Sequence, residues 1–153
     1  MTRTRILVLM TLSACLGMGC GKTFCDVQGY TLYIEDPPWS VVHYGFHVEF
    51  EDASIELDCE VDDGKPTVCE TSSGPWRVEV QLTLSDNADF SGIIISIENG
   101  DEFTSVVPDG TIRVVVTDVA DPLFEAEFIS EPEVHRWREG RRVCESADDV
   151  WMF

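Results

Sequence analysis

Alternation of apolar and polar side chains is the feature that most limits what this chain can fold into. It is clearest at residues 76–84 (WRVEVQLTL), where every second residue is apolar. Successive side chains of a β-strand point to opposite faces of its sheet, so this segment is predicted to be a half-buried strand. No window of ten or more residues after Cys20 carries the apolar stripe of an amphipathic helix.

Several other segments show the same alternation. Their predicted inward faces are Tyr30, Leu32 and Ile34; Val42, Tyr44, Phe46, Val48 and Phe50; Ile55, Leu57, Cys59 and Val61; and Phe124, Ala126 and Phe128. Residues 93–97 are rich in β-branched side chains, which favours a strand buried on both faces. Residues 150–153 are predicted to form a last strand.

Turn residues separate these segments. Asn99-Gly100 predicts a hairpin joining the 93–97 strand to residues 103–107, and residues 107–110 (VPDG) predict a tight turn before a strand at 111–117. About eight to ten short strands at this spacing predict an all-β fold. We expect an antiparallel β-sandwich, immunoglobulin-like or transthyretin-like, with a small β-barrel as the alternative.

The first residues predict export. Residues 1–5 are basic, and residues 6–18 (ILVLMTLSACLGM) form an apolar run. As a helix this run spans only about 20 Å, whereas a bilayer core is about 30 Å thick, so a signal peptide fits better than a membrane span. The predicted organisation is a signal peptide at 1–19, a lipid anchor and short tether at 20–28, and one sandwich domain at 29–153.

Two cysteines are candidates for the lipid-modified residue. Residues 12–15 (LSAC) match a bacterial lipobox well, and residues 16–20 (LGMGC) match it more loosely. Processing at Cys15 would leave a short apolar region, so Cys20 is the predicted lipid attachment site. Cys15 and a simple secretory signal remain the alternatives.

Cysteine parity agrees with Cys20, since it leaves an even number of cysteines in an oxidising compartment. Residues 62–65 (DDGK) are interpreted as the turn of a hairpin that brings Cys59 opposite Cys69. The predicted disulfides are therefore Cys59–Cys69 and Cys25–Cys144. The second would tie the start of the domain to its end.

The charge balance excludes one class of partner. The chain has 29 acidic and 10 basic side chains, and two of the basic ones, Arg3 and Arg5, lie in the leader. Nucleic-acid phosphates require a positive surface, so no DNA or RNA partner is expected. The membrane is expected to be reached through the lipid, because an acidic surface does not dock on anionic lipid.

No motif for catalysis, a cofactor or a metal is present. The chain lacks a Gly-x-Ser-x-Gly elbow, a Cys-x-x-Cys pair and a glycine-rich phosphate loop. His43 and His47 lie about 13 Å apart on one strand, too far to share a metal, and are interpreted as exposed strand histidines together with His135. Asp86 and Asp89 offer too few oxygens for tight calcium binding.

Aromatic residues give one weak indication of binding. Trp39 follows two prolines and is the aromatic most expected to be exposed, either as part of a sugar- or partner-binding platform or as a lid on the core. Trp76 is predicted to be in the core by its alternation.

The leader ending near Gly19-Cys20-Gly21, the Cys59 and Cys69 pair and residues 137–144 (WREGRRVC) resemble small predicted lipoproteins of soil-dwelling and predatory Gram-negative bacteria. The resemblance implies no activity. We expect a non-enzymatic envelope lipoprotein whose sandwich is a binding or structural module. The alternatives are a secreted, hydrolase-like enzyme with an unrecognised site and a sugar- or calcium-binding surface module. Gly21 after the anchor resembles lipoproteins sorted to the outer membrane.

Overall fold

The computed structural model describes residues 29–61, 65–83, 91–99, 106–139 and 142–153, and these residues form ten β-strands and no helix. The strands are β1 (Gly29–Glu35), β2 (His43–Phe50), β3 (Ala53–Glu60), β4 (Thr67–Ser73), β5 (Trp76–Thr83), β6 (Gly92–Asn99), β7 (Ile112–Asp118), β8 (Glu125–Ser130), β9 (His135–Glu139) and β10 (Arg142–Met152).

The strands form two sheets that pack face to face. One sheet has six strands in the order β4-β5-β6-β1-β10-β9, and the other has four in the order β3-β2-β7-β8. All the pairs are antiparallel except β1 with β10, which run parallel. The predicted all-β sandwich is confirmed. The described strands do not close into the alternative barrel.

The core fills the space between the sheets, and alternation along each strand supplies it. Trp76, Val78, Val80 and Leu82 of β5 are buried as predicted, and the predicted inward residues Tyr44 to Phe50 of β2 are buried as well. Val42 departs from the prediction. It precedes β2, and its side chain is 68% exposed.

The pairing of strand β6 is incompatible with a hairpin predicted from the sequence. One face of β6 is fully buried, whereas Ile94 and Ser96 on its other face are half-buried. Both edges of β6 are occupied, since it pairs with β5 along one edge and with β1 along the other. The hairpin predicted to join residues 93–97 to residues 103–107 is therefore wrong, because β6 has no edge left to accept it. Turn residues next to a strand do not show which distant strands pair with its two edges.

The disulfide between Cys59 and Cys69 joins the two sheets. Cys59 lies on β3, an edge strand of the four-stranded sheet, and Cys69 lies on β4, an edge strand of the six-stranded sheet. Their Cα atoms are 5.9 Å apart, within the range that a disulfide spans. The predicted pair is confirmed, but the hairpin that predicted it is wrong, because the chain changes sheets between these strands.

The second predicted disulfide stays a prediction. Cys144 is fully buried on β10. Its predicted partner, Cys25, lies outside the described residues.

The two sheets contact each other along one side of the sandwich. Edge strand β8 of the four-stranded sheet contacts β10 through Phe128 with Trp151 and through Ser130 with Asp149. Strand β9 is the next strand outward from β10. Strand β9 therefore lies one strand further out than the strand that β8 contacts.

Candidate functional site

Strands β8 and β10 belong to different sheets, and their inward side chains meet along one side of the sandwich. On β10, Asp149 and Trp151 lie opposite Leu32 and Ile34, whose side chains are in the core. Residues opposite each other in a sheet share a face, so Asp149 and Trp151 point inwards. We call the residues that meet here the β8–β10 seam: Tyr30, Trp39, Phe124, Phe128, Ser130, Asp149, Trp151 and Phe153.

The polar end of the seam is built around one carboxylate. The Tyr30 hydroxyl donates a hydrogen bond to Oδ2 of Asp149 at 3.1 Å, and the Ser130 hydroxyl donates to the same oxygen. Tyr30 and Ser130 are buried, whereas Asp149 is half-buried. A carboxylate accepts hydrogen bonds at both oxygens, so Asp149 has capacity for a further donor at Oδ1.

Burial raises the pKa of Tyr30 well above its usual range. The neighbouring Ser130 side chain opposes this shift in the pKa, and the negative charge of Asp149 reinforces it. Tyr30 is therefore a neutral donor at physiological pH, which is the form that a hydrogen bond to a carboxylate requires.

The aromatic end of the seam is partly open to solvent. Phe153 packs edge-on against Trp39, with ring centroids 5.1 Å apart, and Phe128 packs edge-on against Trp151 at 5.4 Å. Trp39 also contacts Phe124 at 5.5 Å. Trp151 is 41% exposed and Phe153 is 59% exposed, so ring surface remains accessible.

Trp39 lies in this cluster as a half-buried lid. Its indole N–H and the Tyr44 hydroxyl are both buried, and neither has a hydrogen-bond partner of regular geometry within the described ranges. Burial raises the pKa of Tyr44, while the neighbouring Val41 backbone and the Trp39 side chain act in the opposite direction. This packing fits a lid on the core, and Trp39 also belongs to the seam, so its part in binding stays a prediction.

The predicted histidines lie elsewhere. His43 and His47 are on the outer face of β2, where His47 Nε2 is 3.1 Å from Glu49 Oε1. His135 is exposed on β9. In the part of the chain that the structure describes, no three His, Cys, Asp or Glu side chains are arranged to hold a metal ion.

The outer face of the four-stranded sheet is a network of charges. Arg113 on β7 contacts Glu49 on β2 at 2.7 Å and Glu127 on β8 at 2.5 Å. The hydrogen bond from Arg113 lowers the pKa of Glu49, and His47 adds to the shift. These groups are solvent-exposed, so the network is interpreted as a solvated face.

Several predicted residues lie outside the described ranges: Cys15, Cys20, Cys25, Asp86 and Asp89. Sequence reasoning missed Asp149 and Ser130. The sequence did carry a signal for Asp149. Ala147, Asp149 and Trp151 occupy alternate positions, and a charged side chain on an otherwise apolar face requires partners when it is buried.

Comparison with family models, curated proteins and solved structures found no match. Over the described ranges, no helix has the length and apolar character that crossing a membrane requires.

Proposed function

We propose that this chain is an envelope lipoprotein, anchored to the outer membrane through Cys20, whose sandwich is a non-enzymatic binding module. The β8–β10 seam is its ligand surface. The observation that carries this proposal is the juxtaposition of two accessible aromatic rings, Trp151 and Phe153, with the Asp149 carboxylate on the same strand and its extension.

A glycan is the ligand class that suits this surface best. The apolar face of a sugar ring stacks on an aromatic ring, while its hydroxyl groups donate hydrogen bonds to a carboxylate. Binding sites generally combine apolar and aromatic area with a few fixed polar groups. In the seam, Tyr30 and Ser130 hold Asp149 in place, so the carboxylate is ordered before a ligand arrives.

Calorimetric titration of the full chain in detergent with hexasaccharides of β-linked glucose and of β-linked N-acetylglucosamine tests this proposal. We expect binding of at least one of them, weakened at least about tenfold by Trp151→Ala, since an anchoring aromatic ring commonly contributes this much. Met152→Ala is the matched control, because Met152 is 76% exposed on the opposite face of β10. Failure of both sugars to bind, or equal loss in the two variants, overturns the glycan assignment.

The rival proposal is a hydrolase at the same place. Ser130 donates its hydrogen bond to the Asp149 carboxylate, and a carboxylate is a weaker base than the imidazole that usually activates a serine nucleophile. The three histidines, the usual bases, lie on β2 and β9 rather than in the seam. Chromatography of the hexasaccharides after prolonged incubation is expected to show them intact. Fragments that disappear in the Asp149→Asn variant would favour the enzyme.

The anchor is tested separately. Cys20→Ser is expected to move the protein from the detergent phase to the aqueous phase in a Triton X-114 partition, because stable anchoring requires multiple acyl chains. Cys15→Ser is the control and is expected to leave partitioning unchanged. If Cys15→Ser alone released the protein, Cys15 would be the anchor.

A further inference from the structure

Strand β9 is an edge strand within the part of the chain that the structure describes. It is the last strand of the six-stranded sheet, pairing with β10 along one side and with none of the described strands along the other. An unpaired edge offers N–H and C=O groups to an incoming strand.

Strand β9 is more basic than the chain as a whole. Its five residues (HRWRE) include two arginines and one glutamate, in a chain whose net charge is -19. On β9, Arg136 and Arg138 are two positions apart and therefore share a face, with Trp137 on the other.

Arg138 stands out among the arginines. Arg77 contacts Glu70 and Glu79, Arg113 contacts Glu49 and Glu127, and Arg136 contacts Glu145. Arg138 is exposed, and the strand residue opposite it is Val143. Among the arginines whose side chains the structure describes, Arg138 alone makes no ion pair or hydrogen bond.

Pairing of β9 with β9 of a second copy is disfavoured by the same charges. An antiparallel β9–β9 contact would bring two arginine-bearing strands side by side, and like charges opposite each other destabilise a strand pair. The arginines therefore prevent self-association at this edge and leave it available to a strand of opposite charge.

We infer that β9 is a docking edge for an extended acidic polypeptide, which adds to the six-stranded sheet as a further strand. Main-chain hydrogen bonds to the β9 edge supply the affinity that strand addition gives. A carboxylate of the incoming segment pairs with Arg138, and apolar side chains on the alternate positions lie beside Trp137. A polypeptide fits better than a polysaccharide or a nucleic acid, since only a polypeptide matches the spacing of the backbone groups.

Fluorescence anisotropy with a labelled heptapeptide of alternating glutamate and valine tests this inference on the full chain in detergent. We expect saturable binding, with no binding of the same peptide carrying lysine in place of glutamate. Arg138→Gln is expected to weaken binding at least about tenfold, because it removes a charge-assisted hydrogen bond. Arg77→Gln makes the same charge change on β5, distant from β9, and is expected to alter binding by less than about twofold.

Peptides methylated on alternate backbone nitrogens distinguish strand addition from simple charge attraction. Only every second N–H of an added strand points at β9, so methylation at one set of positions is expected to abolish binding and methylation at the other set to preserve it. Equal binding of both methylated peptides, or competition by heparin as strong as by the peptide itself, would overturn the inference in favour of a general polyanion site. Concentration-dependent dimerisation that the acidic peptide competes away would overturn it in favour of a second copy.

Discussion

At the residue scale, two glycines with the same backbone angle face different surroundings. Gly29 and Gly110 both have a φ of 79°, a conformation that costs a residue with a Cβ about 1–2 kcal/mol. A Cβ on Gly110 would meet open space, whereas a Cβ on Gly29 would overlap the carbonyl oxygen of Ile97 in the neighbouring strand. Backbone atoms in a paired strand cannot move aside as a flexible side chain can.

This difference predicts unequal costs for the same substitution. Gly110→Ala is expected to lower the free energy of unfolding by about 1–2 kcal/mol, and Gly29→Ala by at least about 2 kcal/mol more, because it also overpacks the β1–β6 pair. Urea denaturation of both variants measures the difference. Equal losses of stability in the two variants would contradict this prediction, because they would show that β1 and β6 accommodate a Cβ at position 29 at no extra cost in free energy.

Tyr30 gives a prediction at alkaline pH. Its folded pKa is raised chiefly by burial, so above about pH 10 the unfolded chain releases this proton while the folded chain retains it. Its contribution to stability is therefore complete below pH 10 and declines as the pH rises through the folded pKa.

Tyr30→Phe is expected to cost about 1 kcal/mol at neutral pH through the lost hydrogen bond, and to make the alkaline decline shallower than in the parent chain. Unfolding curves between about pH 8 and pH 11 provide the measurement. An unchanged alkaline slope would mean that Tyr30 ionises equally in both states.

At the element scale, prediction from sequence succeeded where a strand has one apolar face and clear ends. Strand β5 is such a case, because its inward residues are all apolar and turn residues flank it. Strands β9 and β10 were missed over residues 135–149, since Arg136, Glu145 and Asp149 occupy positions on the inward side and hide the alternation. Strand β10 also pairs with β1 from the other end of the described chain, which local pattern does not reveal.

The disulfide shows a second limit of local reasoning. A sequence separation of 10 between Cys59 and Cys69 suits a hairpin and an inter-sheet link equally well. These two arrangements are distinguished only by whether β3 and β4 belong to the same sheet. The part of the candidate site found from sequence was Trp39, whereas Asp149 depends on contacts made across the sandwich.

Removing this disulfide is expected to destabilise the sandwich at the side where β3 meets β4. In the chain-entropy model a loop of this length contributes about 3 kcal/mol. The Cys59→Ala/Cys69→Ala double variant should lose about that much in guanidinium denaturation, without a free thiol to complicate the result. A loss below about 1 kcal/mol would indicate that packing alone holds this side closed.

At the scale of the whole molecule, charge repulsion dominates. The net charge is -19 at pH 7, and compacting like charges destabilises the folded state. Salt screens this repulsion over distances of about 10 Å at 0.1 M ionic strength.

Thermal unfolding is therefore expected to shift upward by a few degrees as sodium chloride rises from about 20 mM to about 500 mM. The response should shrink as the pH approaches the isoelectric point near 4.2, where the net charge vanishes. A downward shift with salt at pH 7 would show that specific ion pairs, such as those of Arg113, outweigh the general repulsion.

The parallel pairing of β1 with β10 affects the order in which the six-stranded sheet can form during folding. The first described strand occupies the middle of the six-stranded sheet, and one of its two neighbours is the last strand of the chain, so that Gly29 pairs with Ser146. Contacts between such distant positions close slowly, because most of the chain must already be in place. A chain is synthesised from its N-terminus, so one backbone edge of β1 stays without its partner until nearly all of the described chain is available. During that interval the open edge can pair with other chains, which makes it a point of aggregation risk.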